Sequence, residues 1–350
     1  MHVHANVQGG RLLHDSIPCK FATTRPTVDP GHGRRSARPR RAACVVAGVG
    51  APEFTEPYCL GLIELRFALM PIEFFTTADG TRVRQSFDSP TVYLDHWALR
   101  LFSDDPVLQD RLVSAVLRKQ GTLLLSTISF AEFAHPNDRL HCVAAESFIE
   151  RLLPNIYFTD FAYEKLQVQE EAEPNNRRRF WPPADLPQLK LFAERAQDTP
   201  LGFTMRGFIT MARDSHAYLA PVAHETVQMI KGGIEAARRD PEYVRKARHI
   251  LPNDKRTRTY VVMAELMREF HLNPNLKISD NDVIDLLHAA MPVNCCDFVL
   301  LDGAWADRVA KLKQRIAAAR SVLPLACCYS RRDDGVLRFL DELESFEPVM

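Results

Sequence analysis

The sequence predicts an α/β fold: a central parallel sheet flanked by helices and interrupted by a large helical insertion. Three observations predict it. Short apolar or β-branched runs alternate with amphipathic helical patterns over 90–160, and the same alternation returns over 277–350. Between them, 161–276 holds helical patterns separated by Pro and Gly, with no strand pattern. Two strand-like runs end on an acid, Asp95 and Asp302, and open parallel sheets carry their chemistry at strand C-termini.

Taken in order, residues 1–69 differ from the rest. They are rich in Arg, Pro, Gly and Ser, with RRSARPRR at 34–41 and no sustained periodicity. The Arg-rich, acid-poor beginning fits a transit peptide. A disordered extension or a start placed too early fits better, since Met70 opens MPIEFFTTADGTRVR as a natural beginning. The run TVYL at 91–94 is β-rich and leads to Asp95. Residues 106–119 read as a helix with Val107, Leu108, Leu112, Val113, Val116 and Leu117 on its apolar side, ended by Gly121. A strand over 122–126 follows, then a helical turn over 130–134 containing Glu132. A helix over 137–152 is closed by Pro154, and a short strand spans 156–158.

In the insertion, 170–183 reads as a loop, with helices near 185–197, 201–213, 216–239 and 255–271. Ser279 then caps a helix whose apolar face is Val283, Leu286, Leu287 and Ala290, stopped at Pro292. A buried strand over 298–301 ends on Asp302-Gly303. A helix over 304–320, a strand over 323–329 and an amphipathic helix over 336–343 complete the chain.

Composition narrows function by exclusion. Lys+Arg and Asp+Glu are 44 each, so any basic surface must come from local clustering. No apolar run reaches the ~18 to 20 residues of a membrane span. The eight cysteines contain no CxxC. The vicinal pairs Cys295-Cys296 and Cys327-Cys328 are expected at the opening of one strand and the close of another, too far apart for zinc. The thiols then act as small apolar groups in a reducing, cytoplasmic compartment. No GxxxxGK[ST] loop is present, which argues against an ATPase.

The acids stand out by position. Asp95 and Asp302 fall at strand ends, and Glu132 and Asp285 on adjoining helices. Asp282, Asp285 and His288 share a helix face at three-residue spacing. Clustered carboxylates repel one another unless a cation lies between them, and oxygen donors suit Mg²⁺ or Mn²⁺. Asp282 reads equally as a capping acid or an accessory ligand. His288 reads as a group orienting water or phosphate, or as a satisfied helix histidine.

The ordered motifs YLDHW, STISFAEF, DVIDLLHAA and CDFVLLDGAW resemble PIN-like domains, a metal-dependent ribonuclease fold. The resemblance implies a three-layer α/β/α PIN-like fold. It also implies phosphodiester hydrolysis at Asp95, Glu132, Asp285 and Asp302 with Mg²⁺ or Mn²⁺. It departs at Leu300 and Leu301, where the family often has Thr or Ser before the last acid. RNA is the implied partner, single-stranded RNA included; a homodimer and an inhibitory protein partner fit the resemblance but are not readable. Two other functions fit the same residues: an inactive nucleic-acid-binding module, and a phosphohydrolase of small esters.

Two basic stretches could hold a phosphate backbone. One is Arg177, Arg178, Arg179 and Trp181; the other contains Arg245, Lys246, Arg248, Lys255, Arg256 and Arg258. Cations interleaved with aromatics suit single-stranded nucleic acid, and a solvated helix face is the alternative.

Overall fold

Acids and serines begin the helices that follow the strands, and this local chemistry punctuates the chain. The computed structural model describes residues 3–7, 72–77, 80–133, 139–160, 162–172, 181–198, 204–249, 252 and 256–347. Strands β1 (Val3–Val7), β2 (Ile72–Thr77) and β3 (Gly80–Gln85) form an antiparallel sheet in the order β1-β3-β2. Sequence reading assigned no strand to any of them, and β1 falls inside the stretch expected to be a disordered extension. Residues 10–68 lie outside the described residues.

The core begins with β4 (Thr91–Leu94), α1 (His96–Asp104) and α2 (Pro106–Arg118), followed by β5 (Thr122–Ser126) and α3 (Thr127–Phe133). Asp105 accepts hydrogen bonds from Val107 N and Leu108 N, and Pro106 occupies the first turn, so α2 starts where its orphan donors are met. Next come α4 (Arg139–Glu150) and β6 (Ile156–Thr159). The insertion supplies α5 (Tyr163–Ala172), α6 (Leu186–Asp198), α7 (Phe208–Asp214), α8 (His216–Arg239), α9 (Pro241–His249), α10 (Arg258–Leu266) and α11 (Arg268–Leu272). The core resumes with α12 (Asp280–Cys295), β7 (Phe298–Leu300), α13 (Gly303–Ala318), β8 (Cys327–Tyr329) and α14 (Gly335–Ser345).

Five parallel strands form the central sheet in the order β6-β5-β4-β7-β8. Alternate residues of each strand enter opposite cores, as the two-residue period requires. Val92, Leu94, Leu123, Leu125, Phe158 and Leu300 join the core built with α1, α2, α4 and α14. Tyr93, Leu124, Tyr157, Val299 and Leu301 join the core built with α10, α12 and α13. The molecule is therefore α/β, a five-stranded parallel sheet with helices on both faces. After β6 the chain crosses the insertion and enters β7 on the far side of β4. Strand order reverses there, and the crevice at the C-terminal ends of β4 and β7 is where such sheets bind ligands.

The insertion is tied down by acids, one buried and two half-buried. On α4, Glu146 is 4% exposed and accepts from Gly207 N at 2.8 Å and Thr210 N at 2.7 Å. Glu150 accepts from Met205 N at 2.6 Å, so the start of α7 is pinned to α4. Glu170 of α5 accepts from the backbone of Arg258 and Thr259 at the start of α10. Asn294 Nδ2 donates to Thr259 Oγ1 at 2.8 Å inside the second core, joining α10 to α12.

Several sequence expectations are corrected. Pro292 does not stop α12, which runs to Cys295, with Cys296 N donating to Pro292 O at 2.8 Å. A proline removes only its own N–H, and burial of Ala289, Met291, Val293 and Cys295 holds the last turn in place. The strand expected over 323–329 pairs only from Cys327, so both cysteine pairs lie at strand openings. The helix expected over 201–213 starts after Gly207, which has φ +75°, and 255–271 divides into α10 and α11 at Met267. Among the described residues no helix is long and apolar enough to cross a membrane.

Candidate metal centre

Asp95 and Asp302 follow paired strands, so the sheet itself sets them side by side. Asp95 N donates to Leu300 O at 3.0 Å, continuing the ladder one residue past β4. Each aspartate is also the N-cap of the next helix, α1 for Asp95 and α13 for Asp302. Asp95 is 7% exposed, and its carboxylate accepts from His96 N at 2.8 Å and Asp302 N at 3.1 Å. Asp302 is exposed, and its own carboxylate accepts from Ala304 N at 2.8 Å. The two acids are neighbours with different surroundings: one sunk into the crevice, one at its rim.

Glu132 on α3 and His288 on α12 complete the floor. His288 Nε2 lies 3.0 Å from Glu132 Oε2, and His288 Nδ1 is hydrogen-bonded to the Tyr93 hydroxyl. Both the ring and the phenol are almost wholly buried. One ligand atom each from Asp95, Glu132 and His288 all lie within 4.8 Å of one another, close enough to share an ion. Three-residue spacing brings Asp285, one turn before His288, onto the same side of α12. There it feels the charges of Asp95 and Glu132 and lies within reach of the Trp305 indole, which favours its charged form.

Electrostatics follow from crowding. Burial raises the Asp95 carboxyl above the usual carboxylate range, with His288 opposing and Glu132 adding to the rise. Burial, then the charge of Asp95, push Asp285 up to about 6. Glu132 moves the other way: burial would raise it, but the hydrogen bond and charge of His288 hold it below its ordinary value. Burial would depress His288, yet Glu132, Asp95 and Asp285 together raise it. His96, beside the same acids, is lowered by its own burial. Like charges held this close leave an acidic pocket with room in its charge balance for a cation.

Of the residues singled out in the sequence, Asp95, Glu132, Asp285, Asp302 and His288 are brought to one strand edge. Asp282 is held apart, because its carboxylate accepts from Ser279 N at 2.8 Å and Ser279 Oγ at 2.6 Å in a capping box. Sequence reading missed Tyr93, His96 and the serines behind Tyr93. Tyr93 is two residues from Asp95, and the strand period that puts both on one side was a usable signal.

The basic candidates disperse. Arg177, Arg178, Arg179 and Lys255 lie outside the described residues. Trp181 packs edge-on against Phe87 and Tyr157, each at 6.4 Å, so its ring is engaged inside the protein. Arg258 is 6% exposed at the start of α10, which removes it from the surface expected of it. Arg245, Lys246, Arg248 and Arg256 are exposed, and Lys246 pairs with Glu242 at 2.7 Å. Tyr243, Lys246, Arg256, Tyr260, Arg268 and His271 line a cleft between α9, α10 and α11, with Arg256 stacked 4.5 Å from the Tyr260 ring centre.

No protein-family model matches this chain, and no match emerges among curated proteins or solved structures.

Proposed function

We propose that this chain is a PIN-like, metal-dependent nuclease that hydrolyses phosphodiester bonds, with RNA as its substrate. One observation carries the reading: two acids at paired strand ends and two from flanking helices converge where strand order reverses. The donor set fits a divalent ion, since Asp95, Glu132 and His288 offer ligand atoms within 4.8 Å of one another. Asp285, one turn before His288, lies near enough to feel the charges of Asp95 and Glu132, and Asp302 stands at the open rim.

Asp95, Glu132 and His288 would hold Mg²⁺ or Mn²⁺, which would supply Lewis acidity to a phosphoryl oxygen and a water. The chain does the rest. The ladder and the two backbone donors fix the Asp95 carboxylate before any ligand arrives. Tyr93 and Glu132 hold the His288 ring from opposite nitrogens. The exposed cations of α9 and Arg256, interleaved with Tyr243 and Tyr260, suit a single strand's phosphates and bases.

The test is cleavage of a mixed pool of single-stranded and structured RNA with Mn²⁺ or with EDTA. Asp95→Asn and Asp285→Asn are compared with the parent, each checked for a cooperative melt. Metal-dependent cleavage that both folded variants lose supports the reading. An inert parent in Mn²⁺, or variants that cleave as fast as it does, refutes it. Turnover of a small phosphate ester but not of RNA would assign the site to a phosphohydrolase instead.

A further inference from the structure

We propose that His288 enters the coordination shell through Nε2. The centre is then a mixed oxygen and nitrogen site that takes a first-row transition ion such as Mn²⁺, Co²⁺ or Zn²⁺ in preference to Mg²⁺. This rests on the metal-centre reading above and goes further, because it chooses the ion and names the buried chain that prepares the ring.

The geometry behind it is a run of hydrogen-bonding groups under the acids. Ser126 and Ser129 hydroxyls are 3.1 Å apart, and Ser129 N donates to Ser126 Oγ at 3.2 Å. The Ser129 side chain is within hydrogen-bond reach of Tyr93, whose hydroxyl meets His288 Nδ1. All four residues are buried, and the run ends where Nε2 faces Glu132. A phenol can both accept and donate. In the metal-free chain Nε2–H faces Glu132; with Nδ1–H kept on the Tyr93 oxygen, and the Tyr93 O–H donating to Ser129 Oγ, an ion that takes the place of the Nε2 proton, released to solvent, meets a neutral imidazole with its Nε2 lone pair turned toward Glu132. That is the tautomer a ligating histidine needs, and it is normally set by a partner on the other nitrogen.

A helix histidine satisfied only by Glu132 would need no such backing. The tyrosine lies 195 residues from His288 in sequence, on the strand that ends at Asp95. One strand therefore supplies both an oxygen donor and the group that orients the nitrogen donor. Mg²⁺ demands oxygen ligands and keeps its waters, whereas affinity for imidazole rises along the series from Mn²⁺ through Co²⁺.

The experiment is titration calorimetry of the chelator-stripped full chain with Co²⁺ and separately with Mg²⁺, using the parent, His288→Asn and Tyr93→Phe. Pulsed EPR of bound Mn²⁺ in protein carrying ¹⁵N-histidine provides a direct nitrogen readout. Asparagine keeps an amide near the Nδ1 position and has no atom at Nε2. The expected result is a parent that prefers Co²⁺, and a His288→Asn variant that loses roughly 100-fold in Co²⁺ affinity with little change for Mg²⁺. The nitrogen coupling should disappear with it. Tyr93→Phe should lose about 10 to 100-fold for Co²⁺, the usual effect of removing an outer partner.

If His288→Asn keeps both the Co²⁺ preference and the coupling, the proposal falls while the acidic metal centre stands. If the parent binds neither ion, both fall. Should His288→Asn fail to fold, the parent's coupling decides: its absence in a metal-loaded parent overturns the assignment, and its presence together with the Tyr93→Phe loss supports it.

Discussion

Replacing Asp285 with asparagine should make the metal-free protein more stable, by an amount that builds up above about pH 4 and is complete above about pH 6. The Asp285 carboxyl is raised from 3.8 to about 6 by burial and by the neighbouring Asp95. The folded state therefore holds this proton more tightly than the unfolded chain does. Below about pH 4 both states are protonated and the group is neutral in the balance. As pH rises through the folded value, stability is lost, and the loss is complete above it. A shift of this size corresponds to about 3 kcal/mol at full burial. The side chain is partly exposed, and solvent screening reduces this to about 1 to 2 kcal/mol. Asparagine keeps an oxygen within reach of the Trp305 indole and removes the charge. Urea unfolding in EDTA should show Asp285→Asn more stable than the parent by that amount at pH 8, or about 2 to 4 °C in Tm, and equal to it near pH 4. Adding Mn²⁺ should stabilise the parent more than the variant. A variant less stable than the parent at pH 8, or offset equally at both pH values, would refute the strained-carboxylate account.

Two further outcomes test other parts of the structure. Glu146→Ala strands the amides of Gly207 and Thr210 at the start of α7 and should cost about 3 kcal/mol in urea unfolding. A loss under about 1 kcal/mol would mean that α7 is not held there. Lys246→Glu combined with Arg256→Glu should weaken binding of single-stranded RNA and lower the slope of log affinity against log salt by about 1.4, two phosphate contacts' worth. An unchanged slope would remove the α9–α11 cleft from the RNA path.

How far the sequence could be read depended on the range of the interaction. The strand ends at Asp95 and Asp302 were legible because two-residue alternation and the Asp-Gly pair are local signals. Asp285 and His288 were legible together because helical spacing alone sets their common side. The role of Tyr93 was not, since it needs a partner 195 residues away. Glu146 looked like an ordinary helix acid, although it shares a side of α4 with Cys142, Ala145 and Ile149, all buried. Arg258 shows the opposite failure. A run of cations implied an exposed surface, but the run spans the start of α10, where Glu170 and the second core bury one of its members. Pro292 was taken as a stop because the helix-breaking rule is local, whereas the packing that overrides it is tertiary.

The pairing of β4 with β7 sets an order of events in folding. Thr91 and Asp297 are bonded across 206 residues, whereas β4 meets β5 after only about thirty. Closing the longer loop costs about 2 kcal/mol more in chain entropy, a small thermodynamic charge but a large kinetic one. During synthesis, β4, β5 and β6 can zip together while α12 and β7 are still unmade. An emerging chain then exposes Asp95 and Glu132 without Asp285, His288 or Asp302. The acidic centre is completed only late in synthesis, so a ribosome-bound chain at that stage carries two of its five residues.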